Sequence, residues 1–295
     1  MVNSRRRCYR SLVRILGIYV VLSAVALVMC APFMWMLASS VKPNEDIFAY
    51  PPAWLPSRIT FQHYEKAFSH SAFPRYFLNS FVVAGTATIV NLFFCSLAGY
   101  AFAKLDFFAR DVIFMLILGT MMIPVHVTLV PLFIITKRFP FCGGNNALGV
   151  GGTGLINTYG GLLVPYLLSV FGVFMVRQFC ATIPDELREA ARIDGAGEFD
   201  VYWRIMLPLI KPVLATLSIF VFTTAWDDFL WPLVITNSDS MRTVQLGLQV
   251  FQMQHAADWG PLMAATVVVT MPVLVVFVIG QKHFVQGIAT TGLKG

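Results

Sequence analysis

Charge is what this sequence has least of. Lys, Arg, Asp and Glu together make up 12% of its 295 residues, about half the share found in a soluble domain. A water-soluble globule is excluded on that ground. The sequence also lacks any G-x-x-x-x-G-K-[ST] run, so it has no phosphate loop for a nucleoside triphosphate. Its five cysteines, Cys8, Cys30, Cys95, Cys142 and Cys180, fall in different segments with no CxxC spacing. That pattern is neither a disulfide framework nor a metal site, and it reads as small apolar filling. No Ser-His-Asp or Cys-His set emerges, because His63, His70, His255 and His283 are scattered among loops and ends. An intramembrane enzyme would need a paired nucleophile and base, and none is present.

What the sequence has is apolar length. Apolar residues reach 57% and the mean hydropathy is +0.72. About 20 residues of helix cross the hydrocarbon of a bilayer, and six stretches are that long or nearly so: Ile15–Leu37, Phe77–Ala103, Val112–Thr136, Leu155–Val176, Pro212–Thr236 and Pro261–Gln281. They lack the short alternating pattern of a membrane barrel, so the expected fold is an all-α membrane protein with six transmembrane helices. The 23-residue first stretch is too long for the core of a cleaved signal peptide, and five more follow. An even number of spans puts both termini on one side. That side carries 14 basic residues against 7 on the other, which places both termini in the cytoplasm. The net charge of +6 is largely this topological bias, so binding to nucleic acid is not needed to explain it. The expected organisation is a cytoplasmic segment over 1–14, a six-helix permease domain over 15–286 and a cytoplasmic tail over 287–295.

The outward loops have separate characters. Tyr50, Pro51, Pro52, Trp54, Pro56, Phe61 and Tyr64 enrich the first in Pro and aromatics. Such residues sit well at headgroup level, and Thr60–Phe68 can form a short interfacial helix with Thr60 at its N-cap. Further on, Gly149-Val150-Gly151-Gly152-Thr153-Gly154 satisfies the G-x-G-x-x-G pattern of dinucleotide sites. That pattern works only between a strand and a helix, with an acid about 20 residues on. Here no strand precedes it and Phe174 stands where the acid belongs; the expectation is a flexible turn.

The one sizeable inward loop, over 181–210, carries the most information. Pro184, Asp185 and Glu186 favour a helix start, Ala190 and Ala191 are strong helix formers, and Gly195 suits a left-handed C-cap. A second short helix is expected over Phe199–Met206, stopping at Leu207-Pro208. The two would form an L-shaped knob. Within it, Glu189, Ala190, Ala191, Gly195, Ile205, Leu207 and Pro208 fit E-A-A-x3-G-x9-I-x-L-P at every position. On these residues the chain resembles the permease subunits of ABC importers, in the carbohydrate-uptake branch like the second maltose permease. Supporting stretches are Ser39-Ser40-Val41-Lys42-Pro43, Asn79-Ser80, Met122-Ile123-Pro124, Asn157-Thr158-Tyr159 and Phe229-Leu230-Trp231-Pro232-Leu233.

The resemblance implies a type I importer architecture in a bacterial or archaeal cytoplasmic membrane. It implies that the loop docks on a P-loop ATPase subunit present in two copies, which binds the ATP and Mg. A second permease and an extracytoplasmic solute-binding protein complete the assembly. The chain itself would be non-catalytic, with no cofactor or metal of its own, and would carry a sugar or sugar-like solute by alternating access. The tail from Gly287 to Gly295 looks like the family's C-terminal tail. An ATP-independent secondary carrier or channel is the alternative, but such carriers often show inverted repeats and none is evident. Asp227 and Asp228 are the only acids inside a predicted span. At a helix centre each would cost about 2.5–3.5 kcal/mol, so they should face protein or water. With Thr223 and Asn79 they are candidates for the translocation pathway, or else they brace the bundle. His126, between Pro124 and Pro131, reads as structural, in a span those prolines can bend.

Overall fold

A computed structural model describes residues 2–69, 72–254 and 259–291. Among the described residues there are helices and no strand. The chain divides into two units, one of residues 1–71 with 251–268 and the other of residues 72–250 with 269–295.

The first unit is led by α1 (Val2–Ser40), followed by α2 (Asn44–Ile47) and α3 (Gln62–Ser69). From Arg14 onward α1 is long and apolar enough to cross a bilayer. Its Leu27 and Val28 are more than 70% exposed in the isolated chain, as expected for a surface that meets lipid or another subunit rather than water. The loop after α1 is fastened by Lys42, which is fully buried. Its Nζ donates to the carbonyl of Ala53 at 2.5 Å and lies 4.1 Å from the centre of the Trp35 ring. A buried ammonium needs such partners because desolvation is costly. The short helix expected over Thr60–Phe68 forms as α3 but starts at Gln62, with the Phe61 carbonyl as its first acceptor; Thr60 lies one residue before the cap, its Oγ1 3.3 Å from the Gln62 N–H.

The second unit is arranged around α4 (Phe73–Lys104). It is followed by α5 (Arg110–Thr120), α6 (Val125–Lys137), α7 (Tyr159–Leu163) and α8 (Val170–Ala181). Next come α9 (Glu186–Ile193), α10 (Glu198–Asp200), α11 (Leu207–Leu209), α12 (Lys211–Asp227), α13 (Leu230–Ile235) and α14 (Val244–Gln254). The last helix, α15 (Trp259–Thr291), belongs to the first unit up to Val268 and to the second from Val269, and continues without interruption past Gly287 into the expected tail; residues 292–295 lie outside the described residues, as do His70 and His255. Helices α8 and α12 pack on α4. Small side chains permit the approach: a Cβ added at Gly99 would lie 2.6 Å from Val176 and 2.9 Å from the backbone of Arg177. Cys95, Val173, Val176, Leu217, Tyr202 and Met206 fill the space between. Cys95 and Cys180 are buried free thiols that fill space as expected, whereas Cys142 is half-buried and Cys30 is exposed.

The apolar stretches do not all become straight helices. Three helices are long and apolar enough to span, at Arg14–Ser40, Phe73–Lys104 and Trp259–Lys282, and three bent pairs raise the number to as many as six. The third stretch bends by 104° between α5 and α6. Pro124 sits at the break as the N-cap of α6, whereas Pro131 is accommodated inside that helix. The fourth starts at Tyr159, not Leu155, and bends by 47° before α8, whose first turn is capped by Ser169 Oγ accepting from the Gly172 N–H at 2.9 Å. The fifth, expected as one run to Thr236, ends at Asp227. Asp228 is extended and α13 begins two residues later.

The Gly-rich stretch is also more ordered than a flexible turn. Asn145 is buried. Its amide donates to the carbonyls of Lys137 at 2.8 Å and Phe139 at 3.0 Å, and its Oδ1 accepts from the Gly152 N–H at 2.8 Å. Gly154 has φ +60° and lies directly against the carbonyls of Thr136 and Lys137. A side chain there would clash and be strained.

Candidate functional site

The loop over 181–210 folds as a knob in which Asp185, Arg192, Glu198, Asp200 and Arg204 are ion-paired. Helix α9 ends in a Schellman motif: the Gly195 N–H bonds the carbonyl of Arg192 at 3.0 Å and the Ala196 N–H that of Ala191 at 2.9 Å. Gly195 takes φ +85° with open space where a Cβ would stand, so the residue type answers a backbone demand. Ala191 is buried while Glu189 and Ala190 are exposed on the knob surface. The second arm departs from expectation. It starts at Glu198, passes through a π-helical turn over Val201–Met206 and continues through Pro208 to Leu209, with the 76° bend just beyond. Pro208 does not stop it because it occupies the first turn of α11, where its missing N–H is not required. Ile205 and Leu207 are half-buried, and Pro208 is exposed.

Residues on α4 hold the knob in place. Lys104, buried at the end of that helix, donates to the carbonyl of Ile183 at 2.6 Å and to Asp185 Oδ1 at 2.8 Å. Arg188 donates to the carbonyl of Lys104. Tyr100 donates to Glu198 Oε2 at 2.8 Å, and the other oxygen of Glu198 accepts from Arg192 Nε at 2.6 Å. Tyr202 and Ser96 share a hydrogen bond of 2.7 Å. The Lys104 ammonium holds the Asp185 carboxyl below the usual carboxylate range. For Glu198, partial burial pushes upward, but the Tyr100 hydroxyl and Arg192 outweigh it and the pKa is lowered. Exposed beside the acids Glu186, Glu189 and Asp194 are three large apolar side chains, Ile193 at 88%, Phe199 at 66% and Trp203 at 51%, with the last two rings stacked at 6.2 Å. None of the α4 anchors was singled out from sequence. Lys104, the lone basic residue of α4's last turn, was the available signal.

The two acids at the end of α12 part company. Asp228 Oδ2 accepts the Tyr166 hydroxyl, while its Oδ1 accepts the N–H of Leu230 at 2.9 Å and of Trp231 at 3.3 Å. It therefore caps α13 and ties it to the turn following α7. Tyr166 is held from its other end, its carbonyl accepting from Asn91 Nδ2 at 2.7 Å. Asp227 is exposed, with one long hydrogen bond from Gln245 Nε2 at 3.3 Å. Both carboxylates line a cavity of about 460 Å³, together with His126, Thr128, Tyr166, Thr224 and Trp231. A smaller one of about 190 Å³ shares Tyr166 and Thr224 with it.

Thr223 and Asn79 are not among the residues lining either cavity. Thr223 is half-buried. Asn79 is fully buried, and its amide group is used in bracing: Nδ2 donates to the carbonyls of Ser240 at 2.9 Å and Arg242 at 2.8 Å, and Oδ1 accepts the Tyr159 hydroxyl at 2.6 Å. Next to it, Ser80 Oγ accepts the Val244 N–H at 2.8 Å. Asn157, at φ +58°, fastens the same region by accepting from Ser238 N at 3.1 Å and Ser238 Oγ at 2.9 Å. Among the described residues no group of three or more His, Cys, Asp or Glu side chains is placed to hold a metal ion.

Comparison with known proteins places these features in a family. The arabinooligosaccharides transport system permease protein AraQ of Bacillus subtilis is 33% identical over 267 residues, 90% of each chain. The sulfoquinovosyl glycerol transport system permease protein SmoH of Agrobacterium fabrum is 32% identical, over 90% of this chain and 88% of its own. In three dimensions the chain matches a component of a bacterial ABC transporter that imports the acidic polysaccharide alginate. The TM-score is 0.77 at 23% identity, over 92% of this chain and 97% of that one. The model of the family described as binding-protein-dependent transport system inner membrane component matches residues 91–290, a stretch that holds both the knob and the cavity. This chain belongs to that family and is a membrane permease subunit of an ABC transport system.

Proposed function

We propose that the chain is one of two membrane-spanning permeases of an ATP-driven importer for a sugar or sugar-like solute, and that the knob is where ATP hydrolysis on a partner is coupled to movement of the spans. The observation that carries this reading is the apolar rim of Ile193, Phe199 and Trp203, left bare beside the Lys104–Asp185 and Arg192–Glu198 pairs. Full burial of a side chain of this size yields about 1.5–3 kcal/mol, so the rim is suited to a protein partner. Exposed Ala190 and the open space at Gly195 let that partner approach closely. Glu189, Ala190, Ala191, Gly195, Ile205, Leu207 and Pro208 form the docking element. In this assembly the chain is non-catalytic. ATP and Mg are bound by two copies of a P-loop ATPase, an external binding protein delivers the solute, and a second permease completes the pathway.

The 14 Lys and Arg on the side of the ends and the knob, against 7 on the other, support a cytoplasmic placement for both, in a bacterial or archaeal cytoplasmic membrane. On the solute side, Asp227, His126 and Thr224 line the cavity that serves as part of the route, while Asp228 shapes it. The sugar class draws on relatives named for arabinooligosaccharide and lactose transport. The test is co-purification with the P-loop ATPase, together with ATP-dependent uptake in vesicles, for wild type and Gly195→Asp. The expected result is ATPase-dependent uptake in the wild type, and loss of both association and uptake in the variant. Transport by the wild type without any ATPase would instead establish an ATP-independent carrier.

A further inference from the structure

The cavity beside the break between α12 and α13 is acidic and carries no compensating cation. Its titratable lining groups are Asp227, Asp228, His126 and Tyr166; the remaining lining residues are threonines or apolar, and no Lys or Arg is among them. Among the described residues neither aspartate has an ion pair. Asp228 is satisfied by hydrogen bonds that leave its negative charge in place. Asp227 has a single long bond from Gln245 and keeps acceptor capacity for a guest. The volume of about 460 Å³ lies within the range of small-molecule sites.

We infer that this cavity sorts solutes by charge, accepting neutral polyhydroxylated or amine-bearing molecules and turning away those that carry a carboxylate, sulfonate or phosphate. An ionised carboxylate only accepts hydrogen bonds. It pairs with hydroxyl and ammonium donors, but a uronate, sulfonate or phosphate would bring acceptor against acceptor and like charge against like charge. A pocket of one sign with low-dielectric walls concentrates counter-ions by roughly tenfold to a thousandfold. Family membership does not decide this point, because the alginate importer is described by its acidic cargo. The inference rests on the reading that the cavity belongs to the solute's route.

The test uses the complete transporter in lipid nanodiscs, with Thr224→Cys as reporter and Cys8, Cys30 and Cys142 replaced by Ser. Thr224 is exposed on the cavity, one helical turn before Asp227, and Cys95 and Cys180 are buried. Rates of labelling by a trimethylammonium-ethyl and a sulfonato-ethyl methanethiosulfonate are compared as a ratio normalised to a free thiol. The expected ratio favours the cationic reagent by roughly tenfold or more, and adding Asp227→Asn lowers it severalfold. A normalised ratio near one, a ratio unmoved by Asp227→Asn, or no labelling by either reagent would overturn the inference. Labelling with a bulky neutral reagent is then scored by ATP-driven uptake. Unimpaired uptake would overturn the inference by removing the cavity from the solute's route. That failure is distinguishable, because the charge ratio is read without transport.

Discussion

The knob and the cavity wall handle charge and apolar surface in opposite ways. In the knob, Asp185, Glu198 and Asp200 each meet a cation, and Ile193, Phe199 and Trp203 are exposed. In the cavity, apolar side chains and threonines form most of the wall and the carboxylates stand without a cation. A surface on which large apolar groups lie bare beside paired charges suits a protein, which can bury it. A wall with unmatched acceptors suits a hydrated or hydroxyl-bearing guest, which can donate to it.

The comparison breaks most sharply at the rim. Ile193→Asp with Phe199→Asp should abolish the gain from two apolar side chains, about 3 kcal/mol or more and hence at least roughly a hundredfold in ATPase association. This is measurable by co-purification, with helical content by circular dichroism unchanged. Next in size is Asp228→Ala, which strips the acceptor from the Tyr166 hydroxyl and from two backbone N–H groups. A loss of about 3 kcal/mol is expected, read as a lower thermal midpoint in detergent. Lys104→Met should loosen the knob by about 1 kcal/mol, because Asp185 is largely solvent-exposed and the pair is screened; faster proteolysis between Ile183 and Leu209 would report it.

A pH titration sharpens the same contrast. The pKa values of Asp185 and Glu198 are lowered in the fold, so their stabilising effect is fully present above the ordinary carboxylate range near pH 4. It is lost as pH falls through the lowered values. Protease resistance of the knob should therefore be flat from pH 8 to about pH 5 and drop below about pH 4. The smallest effect is expected for Asp227→Asn, within about 0.5 kcal/mol of wild type in thermal stability, because little in the fold depends on that exposed carboxylate.

Much of this architecture is legible in the sequence, and the exceptions have physical causes. The spans are read from hydropathy because lipid demands continuous apolar length. The knob is read from spaced residues because Gly195 answers a left-handed backbone that few other residues adopt. Hydropathy is blind to the break at Asp228, since the Asp227-Asp228 pair lies between Trp226 and Phe229-Leu230-Trp231 in an otherwise apolar run, and Asp228 accepts from the first turn of α13. Asn79 looks like a polar group in a span and hence a pathway candidate. It is fully satisfied by carbonyls from more than 160 positions away, pairings that no local pattern encodes. Lys104 reads as a flanking charge for the same reason, since its partners lie about 80 residues on. The Gly-rich stretch is ordered by the buried amide of Asn145, a residue with nothing unusual about its sequence neighbours.

The near-contact of α4 and α8 at Gly99 has a mechanical consequence. Gly99 contributes no side chain there, so Val176 of α8 packs directly on the α4 backbone, and Arg177 of α8 donates to the carbonyl of Phe102 of α4 at 3.3 Å. The pair is thus a single strut with little internal slack. Its α4 member ends in Lys104, the residue that grips the knob. If the knob is pushed by a docked partner, as proposed, that strut is the element it would displace first, because Lys104 at its tip holds the knob through Ile183 and Asp185.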